Sequence, residues 1–398
     1  MNIIFGAVGI CIIAAAIIFI PFENIGSGQG TQDTFIDLDN IIPLPQPDFN
    51  QIIPLPPEDP TEIEVDTRPR SILTGLPIYE EYITRRPVAV VINNIRRALP
   101  QSGIASADII YEVLSEGDIT RLIGIFQSEI PDEIGPVRSA RDYFVDFAFN
   151  HDAFFVHHGA SPTGYTRIRG QRIDSVDGIW AGALFWRDRT YPYWAENQGT
   201  RPLEHSSYTA WYRLSEHFYN SGARDYMNDD PAYGFIFGEI PVDAIEPLGI
   251  AERVVVPFSA NYTRIFMFDE TTGLYNVENP AGAHVDALDQ TQIAVANVLI
   301  QRANMRVIDA EGRRSVDTIG AGYGYLITLG QYFPVRWEKE SHVSPMRWYF
   351  MNDEPIVLTP GVTWICVFQA NGAVTIETFD PILDDPSEEP EEESEEIV

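Results

Sequence analysis

Apolar positions along the chain follow three patterns, and each predicts a different kind of structure. Residues 3–21 (IIFGAVGICIIAAAIIFIP) are uncharged and apolar throughout. That length predicts a bilayer-spanning helix, with a cleaved leader as the alternative. Residues 87–92 (PVAVVI), 108–114 (DIIYEVL), 119–127 (ITRLIGIFQ) and 153–157 (AFFVH) are short runs rich in β-branched and aromatic residues, and predict strands. Residues 139–149 repeat at helical spacing, with Phe144, Phe147 and Ala148 on one face and Ser139 as the expected cap. Ser161–Pro162 reads as an N-cap followed by proline at the first helical position. Trp211, Leu214 and Phe218 stripe a helix over 208–221 that Gly222 ends. From about 250 the pattern becomes short strands between turn signals at 270–273, 279–282 and 352–355. The predicted fold class is α+β: an α/β-type N-terminal part followed by a mostly β C-terminal part.

The flanks lack periodic apolar patterning. Residues 22–66 carry 10 acids and no Lys or Arg, and repeat IIPLP at 41–45 and 52–56, which predicts an extended acidic spacer. Residues 376–398 carry 11 acids and no base, and the run from Asp384 predicts a disordered tail. The expected organisation is an anchor over 1–22, a stalk over 23–69, an N-terminal domain over 70–245, a C-terminal domain over 246–378 and a tail over 379–398.

Charge narrows the partners. The formal net charge of −32 argues against nucleic acid or an anionic lipid surface as the main partner. Removing the flanks' 21 acids from 58 leaves 37 against 26 bases, a net of −11, so the folded part is only mildly acidic. Its bases are Arg except for Lys339. The two cysteines, Cys11 and Cys366, fall in different environments and are not expected to pair.

Several polar constellations could carry chemistry. Asn93, Asn94, Gln101, Ser102, Asp108, Glu112, Glu116, Thr120 and Arg121 sit at or between strand ends, where ligand sites commonly form. Paired carboxylates such as Glu112 and Glu116 could act as acid and base on a glycoside; hydrogen bonding to loop backbone is the structural alternative. In IGPVRSARDY (134–143), Arg138, Ser139 and Arg141 enter a predicted helix and with Arg121 suit an anion; ion pairing with core acids is the alternative. His157 and His158 point to opposite faces, so they do not share a metal. No His, Cys or carboxylate spacing matches a metal motif, and GAGYG (320–324) misses the dinucleotide fingerprint, so no metal and no cofactor are expected. Trp180, Phe185, Trp186, Tyr191, Tyr193 and Trp194 crowd one segment, as a sugar platform or a loop-covering cluster.

The segment 85–144, beginning RRPVAVVINN and ending SARDYF, closely resembles the opening of the YerB-like bacterial lipoproteins. The resemblance continues through VHHGASP (156–162), FWRD (185–188), residues 273–300 and LTPGVTWICVF (358–368). It implies a two-part fold on the outer side of the cytoplasmic membrane and no settled activity. A spanning helix is expected here where the family has a lipid-modified cysteine. Arg187 and Asp188 of FWRD and His157 of VHHGASP join the ligand-binding candidates. The expected function is a membrane-tethered, single-pass extracytoplasmic module that binds a cell-wall polymer or a membrane-bound envelope protein. The alternative is a hydrolase of a carbohydrate or phosphate-containing envelope polymer.

Overall fold

The computed structural model describes residues 66–241 and 245–378. The apolar run 3–21, the acidic spacer up to 65, the tail from 379 and Cys11 lie outside these residues. No described helix is long and apolar enough to cross a membrane.

The principal elements run in order β1 (Val88–Asn93), β2 (Ile109–Leu114), β3 (Thr120–Phe126), α1 (Asp142–Phe149), β4 (Phe154–His157), α2 (Pro162–Gln171), β5 (Ser175–Asp177) and α3 (Trp211–Ser221). Then follow β6 (Arg253–Ser259), β7 (Tyr262–Asp269), β8 (Leu274–Asn279), β9 (Asn297–Ala303), β10 (Gly320–Thr328), β11 (Gln331–Lys339), β12 (Arg347–Phe350), β13 (Thr363–Gln369) and β14 (Thr375–Glu377). The fold is α+β, with an α/β-type N-terminal part and a mostly β C-terminal part.

One 11-stranded sheet runs through both parts in the order β12-β11-β10-β9-β13-β2-β3-β1-β4-β5. A short strand at Gly249–Ile250 beside β11 completes it. The seam is β13, which pairs parallel with β9 on one side and with β2 on the other. The segments on either side of 245 therefore share one hydrogen-bonded sheet. A second, six-stranded sheet contains β8-β7-β6-β14 in that order.

Burial explains the change of pattern along the sequence. Every residue of β1, β2, β3 and β4 is buried. Such strands are covered on both faces and read as continuous apolar runs. β6 and β11 alternate buried and more exposed positions, as strands with one wet face do.

The helices hold the first strands. Ser161 Oγ accepts from Gly164 N at 3.0 Å, so the expected cap of α2 forms. In α3, Leu214 and Phe218 are buried, Phe218 packs on Phe154 with ring centroids 3.8 Å apart, and Gly222 closes the helix at φ 71°. The helix expected from Ser139 instead begins at Asp142, with Arg141 as an N-cap whose side chain makes no capping bond. Val137 bridges Ile92 of β1 and Ala140 bridges Ala160, so pairing to the sheet keeps 137–140 extended.

Candidate functional site

Asn93 ends β1 and Asn94 follows it, Glu112 lies on β2, Thr120 opens β3, and Arg264 lies on β7 of the second sheet. These elements bring five side chains into a closed hydrogen-bonded ring. Arg264 donates from Nε to Glu112 Oε2 at 2.8 Å and from Nη2 to Oε1 at 3.2 Å. Its Nη1 donates to His284 Nδ1 at 2.7 Å. Arginine can only donate, so Nδ1 accepts and the imidazole proton sits on Nε2. That Nε2 donates to Gln101 Oε1 at 2.7 Å. Gln101 Nε2 donates to Asn94 Oδ1 at 2.9 Å and to Asn93 O at 3.0 Å. Asn94 Nδ2 closes the ring on Glu112 Oε1 at 3.0 Å, where Thr120 also donates at 2.9 Å.

Glu112, Arg264, Gln101, Asn94 and His284 are all buried. Burial, reinforced by the guanidinium of Arg264, holds the His284 pKa well below the usual imidazole value, so the ring is neutral at physiological pH. Arg264 also lies 4.9 Å from the centre of the Trp364 ring, a cation–π contact. The network joins the first strands to the second sheet. Asp286 adds a second tie by accepting from Gly103 N at 3.0 Å and Ala105 N at 2.9 Å.

Above this floor opens a cavity of about 470 Å³. Glu112, Arg264, His284 and Asn94 reach it from below; Trp194, Tyr262, Leu99, Pro100 and Pro280 form apolar and aromatic walls. Arg96 and Glu196 also line it and form an ion pair with each other. The volume lies in the range that takes a small ligand or one to two sugar rings.

The structure divides the other candidates among separate roles. Asp108 sits at the opposite end of the sheet, where its Oδ2 accepts from Gln127 N and from Ser128 N at 2.9 Å. It caps a turn, while burial pushes its carboxyl up. Ser102 is buried and bridges Gly135 through the backbone. Glu116 lies beyond the end of β2 and pairs with both Arg121 and Arg141. It therefore forms no dyad with Glu112. Ser139 accepts from Arg121 through its carbonyl at 2.5 Å. Asn93 Nδ2 bonds His205 Nδ1 at 2.8 Å. His157 Nδ1 donates to Gly159 O at 2.9 Å, and His158 faces Arg187 instead. Asp188 Oδ1 accepts from Thr190 N at 2.8 Å and shapes a turn. Arg138 alone among these arginines forms no side-chain hydrogen bond or ion pair among the described residues. Within the aromatic segment Phe185 is buried, Trp194 enters the cavity wall, and Trp180 and Tyr193 stand 81% and 91% exposed. Among the described residues no cluster of three His, Cys, Asp or Glu could hold a metal.

Arg264 and Trp364 were not among the sequence candidates, and His284 stood out only through the His284-x-Asp286 spacing, which matches no metal motif. The available signal was alternation in YTRIFMFD: Arg264 takes the same inward register as Phe266, and an inward charge requires a partner.

Residues 73–224 match the family profile described as "Protein of unknown function (DUF3048) N-terminal domain", and residues 254–365 match its C-terminal domain. The chain is 31% identical over 310 residues to "Putative lipoprotein YerB" of Bacillus subtilis (strain 168), spanning 76% of this chain and 87% of that protein. This chain belongs to the YerB-like family. The crystal structure of the Bacillus subtilis YerB protein shares the YerB-like fold at a TM-score of 0.66 and 29% identity, over 78% of this chain and all of that one. His284, Asp286 and the first three residues of β13 fall within the span of the C-terminal YerB-like match.

Proposed function

We propose that this YerB-like chain is a membrane-tethered, extracytoplasmic binding module whose cavity above Glu112 and Arg264 takes a sugar-containing fragment of the cell-wall polymer. The tether is supported by the apolar run at 3–21 and by the lipoprotein description of its relative. The observation that carries the binding reading is the closed ring beneath the cavity. A general acid or base needs a proton it can exchange near the working pH. Here the Glu112 carboxylate receives bonds from Arg264, Asn94 and Thr120, and the His284 proton is committed to Gln101. The other carboxylate considered for a glycosidase pair, Glu116, is occupied by two arginines. A rigid, fully bonded floor under aromatic walls suits recognition of hydroxyl and amide groups, with Trp194 as the stacking face.

The test is calorimetric titration of the purified full chain with N-acetylglucosamine oligomers and soluble wall fragments. Saturable binding is expected, weakened about tenfold or more by Trp194→Ala, which corresponds to about 1.4 kcal/mol. The melting temperature of that variant should stay close to the parent's. Absence of saturable heat with every fragment refutes the reading, as does equal binding by the variant.

A further inference from the structure

A second polar region lies where β1, β4 and β5 end. These strands are parallel to one another in the pairs β1–β4 and β4–β5. Their carboxyl ends therefore open on the same edge of the sheet, the edge at which parallel sheets form ligand crevices. The loops that meet there are unusually basic for a chain of net charge −32.

Arg138 is central to it. Its backbone is fixed on both sides: its N–H donates to Val91 O at 2.8 Å, and its carbonyl accepts from His158 N at 3.0 Å. Its guanidinium, about half-buried, lies within electrostatic reach of Arg141, Arg187, Glu116 and Glu204. Glu116 is already shared by Arg121 and Arg141, and Glu204 is exposed. Asp177, the other nearby acid, is spent on its own loop: Oδ1 accepts from Gly159 N at 2.7 Å and Ile179 N at 2.9 Å, and Oδ2 accepts from Tyr165 OH at 2.7 Å. Arg138 is left without a carboxylate of its own.

The neighbouring donors are held in place. Arg187 Nη1 donates to Leu203 O at 2.9 Å and Nη2 to His158 Nε2 at 2.8 Å. His158 Nδ1 then donates to Ser207 Oγ at 2.8 Å. A Cβ on Gly178 would stand 2.2 Å from His158 Nδ1, so only glycine leaves room for this imidazole. Arg97 acts on Glu204 and His205 from the loop after β1. Exposed apolar side chains adjoin the basic groups: Ile179 flanks Gly159 beside Ser139, Trp180 follows it, and Leu203 carries the carbonyl that holds Arg187.

We propose that Arg138 and Arg187, with Arg97 at the edge, form a binding site for a phosphate ester. An unpaired guanidinium on a rigid backbone, with a second guanidinium clamped nearby, suits bidentate contact with phosphate oxygens. The apolar side chains at its border suit the carbon body of the ester. This site is separate from the sugar cavity and does not depend on it. The chain at and after the end of β1 serves both, with Asn94, Arg96 and Leu99 turned to the cavity, while Asn93 bonds His205 and Arg97 lies within electrostatic reach of that imidazole.

The chemistry has two sources, a lipid headgroup or a soluble phosphate, and the experiment separates them. The full chain is held in phosphate-free maltoside micelles at constant ionic strength. Its melting temperature is followed against inorganic phosphate and glycerol phosphate, with and without phosphatidylglycerol doped into the micelles. A saturable rise with either soluble phosphate supports the site. A rise on doping that removes the further response assigns the lipid source; a soluble response unaffected by doping assigns the free one. Arg138→Gln should lower phosphate affinity about tenfold or more while leaving the unliganded melting temperature equal or higher. Arg187→Gln, on a different loop, should weaken binding likewise, and Trp194→Ala should not. The proposal fails if neither phosphate nor lipid stabilises the parent, or if both arginine variants bind as the parent does.

Discussion

Removing Arg264 strands the charge of Glu112, and the size of that effect follows from the geometry. The Glu112 side chain is 2% exposed, so water cannot take over from the guanidinium. Breaking a buried pair by deleting one partner costs about 3–5 kcal/mol. Asn94 and Thr120 still solvate Oε1 in the Arg264→Met variant, which places the Glu112 term near the lower end, at about 3 kcal/mol. The variant also leaves His284 Nδ1 without its donor, which adds about 1 kcal/mol. Arg264→Met should therefore destabilise the protein by about 4 kcal/mol. Glu112→Gln removes the charge that Arg264 opposes and should cost about 3 kcal/mol. The double variant has neither stranded charge, so its cost should fall below the sum of the two by about 2–3 kcal/mol. Urea unfolding at pH 7.5 measures all four corners of this cycle. Additivity within about 0.5 kcal/mol would refute the claim that these two residues tie the sheets together.

Two further predictions concern the other buried ionisable groups. His151, whose Nε2 accepts from Tyr111 OH and whose Nδ1 donates to Tyr233 O, is pushed down to about 4 by burial. The unfolded chain takes up this proton near pH 6.5 and the folded one near 4, so stability is lost as pH falls through that window, by up to about 3 kcal/mol. His151→Gln should flatten the slope of urea stability between pH 6.5 and 4.5, and an unchanged slope counts against it. Lys339, the only lysine, is buried against Asn150 Oδ1 at 2.6 Å and is pushed down to about 8 by burial. Its charged form is the disfavoured one in the fold, so stability should rise with pH between about 8 and 10 before the buried tyrosines reverse the trend. Lys339→Met should remove that rise; a parent whose stability is flat or falling from pH 8 to 9.5 contradicts it.

What local sequence could determine was determined where a single segment carries the whole signal. PVAVVI, DIIYEVL and ITRLIGIFQ are rich in β-branched and aromatic residues, and became strands buried on both faces. Ser161–Pro162 caps its helix because a cap needs only three residues of context. The helix start at Ser139 failed for the complementary reason. Its residues have helical spacing, but Val137 and Ala140 gain partners on Ile92 and Ala160, which lie far away in sequence.

The candidate sites followed the same division. Polar residues at strand ends, among them Asn93, Gln101, Glu112, Arg138 and His157, were visible as a concentration along the sequence. Their assignment to roles was not, because each role depends on a partner brought in by tertiary contact. Glu112 is neutralised by Arg264, 152 residues away, and Glu116 is consumed by Arg121 and Arg141. Arg141 is buried and paired with Glu116, whereas the half-buried Arg138 has no such partner among the described residues. Sequence by itself therefore determined the elements, the residue types at the sheet edge and the YerB-like membership. Only the tertiary structure decided that β13 joins the two parts into one sheet, that the ring under the cavity closes, and which arginine is left unpaired. Strand patterning is written in neighbours a few residues apart, whereas burial and charge pairing are sums over atoms that meet only when the chain has folded.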